Sequence, residues 1–338
     1  MRRVGHRPRL ALGVILISAL AVSSGAWAQA QKAAEPDPDP ALVFLHKVQQ
    51  AAHSLDYSGI YTYQQGASMQ SSHIVHVVDG TGERERLEVL DGEPREYLRQ
   101  GNVIQTLIPT RKLVLIQASR SDHFPSLLLG TAQGIFQHYE LRQSSAAYRV
   151  AGRDCAVSEL LARDELRYSY RICTDVQSHL MLKAQTLDGD GQVIDQVAFA
   201  NLRLGKDTDT KALKSQWNTR DWHIVQETAH PVELTAQGWR FVYPAGFGPM
   251  AQIVRAIRPG HKANQLVLSD GLAAISIFIE TFDPERDQNV RQGGMSQGAI
   301  NVYRKRVASF WLTAVGEVPA QTVHDVVQAV QYVPGAAH

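Results

Sequence analysis

The residues of this chain most able to do chemistry are a serine between glycines, an aspartate-glycine repeat, thirteen histidines and two cysteines. Gly294-Met295-Ser296-Gln297-Gly298 matches the G-x-S-x-G elbow, in which a strained strand-to-helix turn presents a nucleophilic serine above a parallel sheet. The context is wrong for that chemistry. Asp287 to Gly293 reads as loop and Ile300-Asn301-Val302-Tyr303 as strand, so the pattern is expected as a glycine-rich loop. Asp188-Gly189-Asp190-Gly191 lacks the third alternating ligand and the closing glutamate of a calcium loop, and reads as a tight hairpin. His73 and His76 are spaced to opposite faces of a strand, and His46 and His53 lie about two turns apart on a helix, so neither pair chelates a metal. No H-E-x-x-H, C-x-x-C, Walker or G-x-G-x-x-G pattern occurs. The expectation is a non-enzyme with no cofactor and no metal.

Cys155 and Cys173 gain meaning from the compartment. Arg2, Arg3, Arg7 and Arg9 precede an uncharged run from Leu10 to Val22, and Ala26-Trp27-Ala28 fits an A-x-A cleavage site. Residues 1–28 therefore read as a secretory signal peptide cleaved after Ala28, which implies a mature chain outside the cytoplasm. In an oxidising compartment two cysteines are worth pairing. A hairpin folded about Asp164 would set Cys155 directly opposite Cys173, where a disulfide would contribute about 3 kcal/mol, and a reduced buried pair is the alternative. Cleavage lowers Lys+Arg from 34 to 30 against 33 Asp+Glu, moving the formal charge from +1 to −3. Such a balanced surface argues against a nucleic-acid partner. The densest basic cluster, Arg304-Lys305-Arg306, reads as a solvated strand edge, with a contact for anionic lipid as the alternative.

The elements that would position these residues follow from hydrophobic period. Residues 29–40 form a flexible lead. Asp39 can cap a helix with Pro40 at its first position, and Ala41, Leu45, Val48, Ala52 and Leu55 give it one buried face. Turn signals about every ten residues then cut the chain into short strands of an antiparallel meander, too many to stay flat. The fold class expected is α+β and mostly antiparallel β. It comprises a large curled half-barrel sheet with packed helices over residues 41–205, a linker at 206–221, and a small domain at 222–334 with an antiparallel sheet and a C-terminal helix starting at Pro319. Strands are expected there at Arg240 to Tyr243, Ala251 to Ile257, Gln265 to Leu268, Leu272 to Thr281, Ala299 to Arg304 and Val307 to Val315. Asp122 to Tyr139 interrupts the meander with Phe124, Leu127, Leu128, Leu129, Ile135 and Phe136, and reads as a helical flap over the open end of the sheet. Tyr57, Tyr61 and Tyr63 share a face of the first strand, where core packing and the lining of an apolar cavity are both open readings.

Several segments together resemble the RseB/MucB family. They are Leu55-Asp56-Tyr57-Ser58-Gly59, Asp91-Gly92-Glu93-Pro94-Arg95-Glu96, Pro125-Ser126-Leu127-Leu128, Arg167-Tyr168-Ser169-Tyr170 and Leu187-Asp188-Gly189-Asp190-Gly191. Tyr243-Pro244-Ala245-Gly246-Phe247, Leu268-Ser269-Asp270-Gly271-Leu272 and Gly316-Glu317-Val318-Pro319 complete the set. The resemblance implies a LolA-like half-barrel and a periplasmic regulator of the envelope-stress sigma factor. Such a regulator binds the periplasmic part of an RseA/MucA-type anti-sigma factor, shields it from the site-1 protease, and lets go on sensing lipid or lipopolysaccharide. Tyr61, Tyr63, Phe124, Leu127, Leu128, Leu129 and Phe136 are the residues expected on the lipid side, and the anti-sigma segment is expected near the linker and small domain. A periplasmic lipid or lipoprotein carrier is the alternative, and self-association is left open.

Overall fold

The computed structural model describes residues 39–118, 124–126, 128–129, 134–205, 208–258 and 261–335. The expected signal peptide, almost all of the lead, and Leu127 lie outside the described residues. Helix α1 (Pro40–Ser54) starts as its sequence requires. The Asp39 side chain accepts the Ala41 N–H at 2.9 Å, and Pro40 fills the first turn, where its missing N–H costs nothing. Leu45, Val48, Ala51 and Ala52 are buried, whereas Ala41 and Leu55 sit half-buried at the two ends.

The large sheet is built from β1 (Tyr57–Gln65), β2 (Ser68–Asp79), β3 (Gly82–Val89), β4 (Glu96–Gln100), β5 (Val103–Ile108) and β6 (Leu113–Ala118). It continues with β7 (Tyr139–Gln143), β8 (Tyr148–Val150), β9 (Arg153–Ala162), β10 (Ser169–Asp175), β11 (Met181–Leu187), β12 (Val193–Leu204) and β13 (His223–Gln226). These thirteen strands run in the order β13-β6-β5-β4-β3-β2-β1-β12-β11-β10-β9-β7, with β8 also on β9. Every pairing is antiparallel except β13 on β6. A sheet this wide curls under its own twist. Ala51 and Ala52 of α1 pack in one cluster with Tyr57, Tyr61, Ile74, Leu180, Leu182 and Phe199 of the sheet.

Two expectations need correction here. Cys155 and Cys173 are disulfide-bonded with their Cα atoms 5.6 Å apart, but they are not directly opposite: Cys155 faces Asp175 and Cys173 faces Val157. The bond crosses the ladder diagonally, between positions that strand twist draws together. The segment expected as a linker is also not free. Arg86 Nη1 donates to Ala212 O at 3.3 Å, Gln216 Nε2 donates to Glu88 Oε1 at 2.9 Å, and β13 then pairs with β6. The exposed N–H and C=O groups of β6 offer a template that the β-branched pair Ile224-Val225 can take, so the large sheet extends beyond residue 221.

The second sheet has seven strands in the order β14-β16-β17-β18-β21-β20-β19. They are β14 (Ala229–Pro231), β16 (Gly248–Arg258), β17 (His261–Ser269), β18 (Ala274–Thr281), β19 (Gly293–Gln297), β20 (Ile300–Val307) and β21 (Phe310–Gly316). β15 (Trp239–Arg240) pairs instead with β22 (Gln331–Tyr332) at the end of the chain. Helix α3 (Ala320–Ala329) lays Val323, Val326 and Val327 on Leu266, Ile275, Ile277, Leu312 and Ala314. The strand expected at Arg240 to Tyr243 stops after Arg240, leaving Val242 and Tyr243 exposed. The glycine-rich loop expected at residues 294–298 is an edge strand for most of its length, because period-2 pairing with β20 outweighs its weak strand propensity.

Candidate functional site

The flap is less helical than expected: among its described residues only Ile135–His138 form a helical turn, α2. Its residues divide between two apolar clusters. Phe124 lies with its ring centroid 5.2 Å from that of Tyr61 and 5.0 Å from that of Phe199, and Tyr61 meets Phe199 edge-on at 6.1 Å. This aromatic trio rests on the sheet face that α1 covers. Leu128 and Ile135 are buried in a second cluster with Leu45 of α1, Tyr139, Leu160 and Tyr170 of the large sheet, and Leu272 of the small domain. Phe136 packs on the same cluster, half-buried. The Leu129 N–H donates to Gly271 O at 2.8 Å, so the flap is bonded to the hairpin that joins β17 to β18.

A polar tether holds the near end of the flap to α1. Gln49 Oε1 accepts from Ser126 Oγ at 2.7 Å and from the Leu128 N–H at 3.3 Å, while Gln49 Nε2 lies 3.0 Å from His53 Nε2. The other ring nitrogen of His53 is 3.2 Å from Glu83 Oε1, and buried His76 reaches the same oxygen at 3.0 Å. His76 also stacks on Tyr57, with centroids 4.6 Å apart. Burial alone pushes the Glu83 carboxyl up, but the hydrogen bonds from His53 and His76 and the Arg99 guanidinium outweigh it and hold the group well below the usual carboxylate range. His53, Glu83 and Arg99 line a small cleft together with Pro125 and Ser126 of the flap.

The far end of the flap runs into a polar seam between the two sheets. Arg167, its side chain fully buried, donates through Nη1 to Asp270 Oδ2 at 2.6 Å, through Nε to Asp164 Oδ1 at 2.9 Å, and through Nη2 to Ala245 O. Its guanidinium carbon lies 4.9 Å from the Phe247 ring centroid. The Tyr139 hydroxyl donates to Asp270 Oδ2 at 3.0 Å, and the backbone N–H groups of Leu272 and Ala273 complete the carboxylate's shell. With every oxygen satisfied, this buried ion pair is directional and costly to break. A second contact forms at Asp195, which accepts from Tyr63 Oη at 3.1 Å, the Gly66 N–H at 3.2 Å and the Ala299 N–H at 3.0 Å. Burial raises the Asp195 pKa against those three donors. The turn before Ala299 needs glycine: Gly298 has φ +56°, and a Cβ there would run into the Asp195 carboxylate. Asn301 Nδ2 donates to Tyr168 Oη at 3.0 Å, and Thr322 Oγ1 to Leu166 O at 3.0 Å.

The residues singled out for the lipid side are therefore not one surface. Tyr61 and Phe124 meet in one cluster, Leu128 and Phe136 in another, Leu129 bonds the small domain, and Tyr63 turns its hydroxyl to the seam. Sequence spacing missed His53, His76 and Glu83, which come from a helix end and two strands and share no local pattern. It also missed Arg167 and Asp270 as partners, although both stand in segments that carry the family resemblance. The fold brings four of those segments together: Arg167 is bonded to Asp270 and to Ala245, and Leu272 packs with Leu128.

Residues 40–217 match the MucB/RseB N-terminal domain and residues 233–331 the MucB/RseB C-terminal domain. The chain is 27% identical to the sigma factor AlgU regulatory protein MucB of Pseudomonas aeruginosa, over 85% of this chain and 90% of that protein. It is 21% identical to the sigma-E factor regulatory protein RseB of Haemophilus influenzae over the same shares, and 24% identical to RseB of Escherichia coli K12 over 87% and 90%. The fold is similar to that of MucB in its crystal structure with MucA(peri), at 24% identity and a TM-score of 0.65, over 86% of this chain and 98% of that one. In a second structure, the MucA/MucB complex of Pseudomonas aeruginosa, the matched chain gives a TM-score of 0.68 at 24% identity, over 87% and 99%. With both domains matched in order and four of the resemblance segments gathered at one seam, the chain belongs to the MucB/RseB family.

Proposed function

We propose that this chain is a periplasmic negative regulator of sigma-E-type envelope-stress signalling, a binding protein and not an enzyme. It holds the periplasmic part of an RseA/MucA-type anti-sigma factor, shields that part from site-1 proteolysis, and releases it when lipid or lipopolysaccharide enters the large domain. Export follows from the signal peptide ending at Ala28. The relatives are named as sigma factor regulatory proteins, and one is crystallised with MucA(peri), which supports the partner.

The observation that carries the sensing step is that Leu128 of the flap and Leu272 of the small domain share one buried cluster. An acyl chain competing for the sites of Phe124 and Leu128 would displace the flap, and with it the contacts at Gly271 and Leu272. A ligand shifts the docking equilibrium only by its differential affinity for the two arrangements, and an apolar chain gains that difference by replacing side chains that docking buries. In this reading Tyr61, Phe124, Leu127, Leu128, Leu129 and Phe136 serve the lipid side, and Tyr63 serves the seam.

Titrating a complex of the exported chain and the anti-sigma periplasmic segment with lipopolysaccharide tests the proposal. Tight binding that lipid reverses is expected, and Leu128→Glu or Phe136→Glu variants shown by circular dichroism to be folded should lose the lipid response. No binding across salt and pH would sink the regulator and promote the lipid-carrier reading.

A further inference from the structure

Two stretches are used by neither the flap nor the seam: residues 293–297, which carry most of the glycine-serine pattern, and the basic triplet Arg304-Lys305-Arg306. The fold sets them on adjoining strands. β19 ends the second sheet and pairs with β20 alone, so Gly293 stands opposite Arg304 and Met295 opposite Val302. All five residues of β19 are exposed, Met295 to 71%. The hairpin turns through Gly298 and Ala299, with Gln297 and Ile300 as its closing pair. Hydrogen-bonded pairs then fall at Gln297, Met295 and Gly293, and the alternate residues Gly294 and Ser296 aim their N–H and C=O groups away from β20. Among the described residues no strand meets that edge.

Sheets ordinarily blunt an open edge with charge, proline or a bulge. β19 reads Gly-Gly-Met-Ser-Gln, in unbroken register, and has none of these. The charge sits one strand inward. By strand alternation Arg304 and Arg306 share the face of Val302 and Met295, while Lys305 lies on the α3 side, where it donates to Gln328 Oε1 at 2.6 Å. Arg306 is exposed, with its guanidinium carbon 3.5 Å from the Phe282 ring centroid, whereas half-buried Arg304 donates to Thr313 Oγ1 at 2.8 Å and pairs with Glu280 Oε2 at 3.6 Å. An uncharged, ladder-ready edge beside the exposed Arg306 guanidinium matches an extended chain that brings both main-chain groups and a carboxylate.

We propose that β19 is a β-augmentation site for an extended acidic peptide segment. The segment adds as a further strand through the outward groups of Gly294 and Ser296, sets an apolar side chain on Met295 and Val302, and turns a carboxylate toward Arg306. The inference rests on the reading that the chain holds an anti-sigma periplasmic segment, and it assigns that segment a mode of docking.

Calorimetry of the full exported chain with the anti-sigma periplasmic segment, run beside Gly294→Pro and Arg306→Glu variants, tests it, together with amide hydrogen exchange on the wild-type complex. Proline at position 294 deletes an outward N–H while leaving the ladder to β20 intact, so binding should weaken about tenfold. Arg306→Glu should weaken binding several-fold and flatten its salt dependence. The Gly294 and Ser296 amides should become protected in the complex, a readout that holds even if a variant folds poorly. Wild-type binding with both amides unprotected would overturn the docking mode and leave the regulator standing. Failure of the wild type to bind would remove both. Binding to phosphatidylglycerol vesicles that Arg306→Glu abolishes, with peptide affinity unchanged, would assign the basic face to lipid and overturn the proposal as well.

Discussion

The two ends of the flap are held by different physics. At one end Phe124 sits among the rings of Tyr61 and Phe199, where the attraction is buried area and edge-to-face contact. At the other, the chain passes Leu129 and Tyr139 into a seam where Arg167 and Asp270 are fully buried and fully bonded. Area is tolerant: another apolar body of similar volume can replace an aromatic ring with little change in free energy. A desolvated ion pair is not, because removing either partner strands a charge. A ligand that is itself apolar can thus compete for the first end but not the second. On the proposed reading, an apolar ligand acts first at the Phe124 end, and reaches the small domain through the Leu128 and Leu129 contacts with Leu272 and Gly271.

The largest test of this contrast is Asp270→Ala, which should cost about 3–5 kcal/mol by leaving Arg167 buried without its partner. Thermal unfolding should show the loss, and limited proteolysis should cut faster between residues 227 and 247. Next, Leu128→Ala should cost about 2–3 kcal/mol. A double-mutant cycle with Leu272→Ala should return a coupling of roughly 0.5 kcal/mol or more, and strict additivity would mean that the flap and the hairpin are not linked. Glu83→Gln comes third, at about 1–2 kcal/mol, since two histidines and an arginine converge on that carboxylate. Because the folded-state pKa of Glu83 is depressed, its contribution is present above the ordinary value of 4.5 and is lost as the pH falls below it. Stability measured against pH should therefore show a shallower acid limb in Glu83→Gln than in the wild type. The smallest effect is expected for Phe124→Leu, about 1 kcal/mol, with lipid response retained. A loss as large as that of Asp270→Ala would mean that the aromatic end is as rigid as the seam.

What could be read before the fold was known tracks the range of the interaction. The capped helix starting after Asp39, the meander and the α3 helix all follow from periods and turn residues within about ten positions of each other. The pairing of Cys155 with Cys173 was legible, but its register was two positions off, since a short turn about Asp164 does not define which residues face across it. Convergence of His53, His76 and Glu83 was invisible, because strand pairing and helix docking together decide it. The Arg167 to Asp270 bond joins residues about a hundred positions apart, and no local rule addresses such a pair. Family resemblance touched both residues without saying that they meet. The pairing of His223–Gln226 with β6 was hidden for a related reason: local composition says nothing about whether a distant edge strand is waiting for a partner.

That strap also decides how the molecule resets. His223–Gln226 stays zipped to β6, and only Glu227 and Thr228 separate it from β14 of the second sheet. A small domain whose seam has opened cannot diffuse away. It returns at an effective concentration on the order of millimolar or higher, whatever the dilution of the protein around it. Re-closure is then a unimolecular event, so its rate is set by one hinge and is independent of the concentration of the protein.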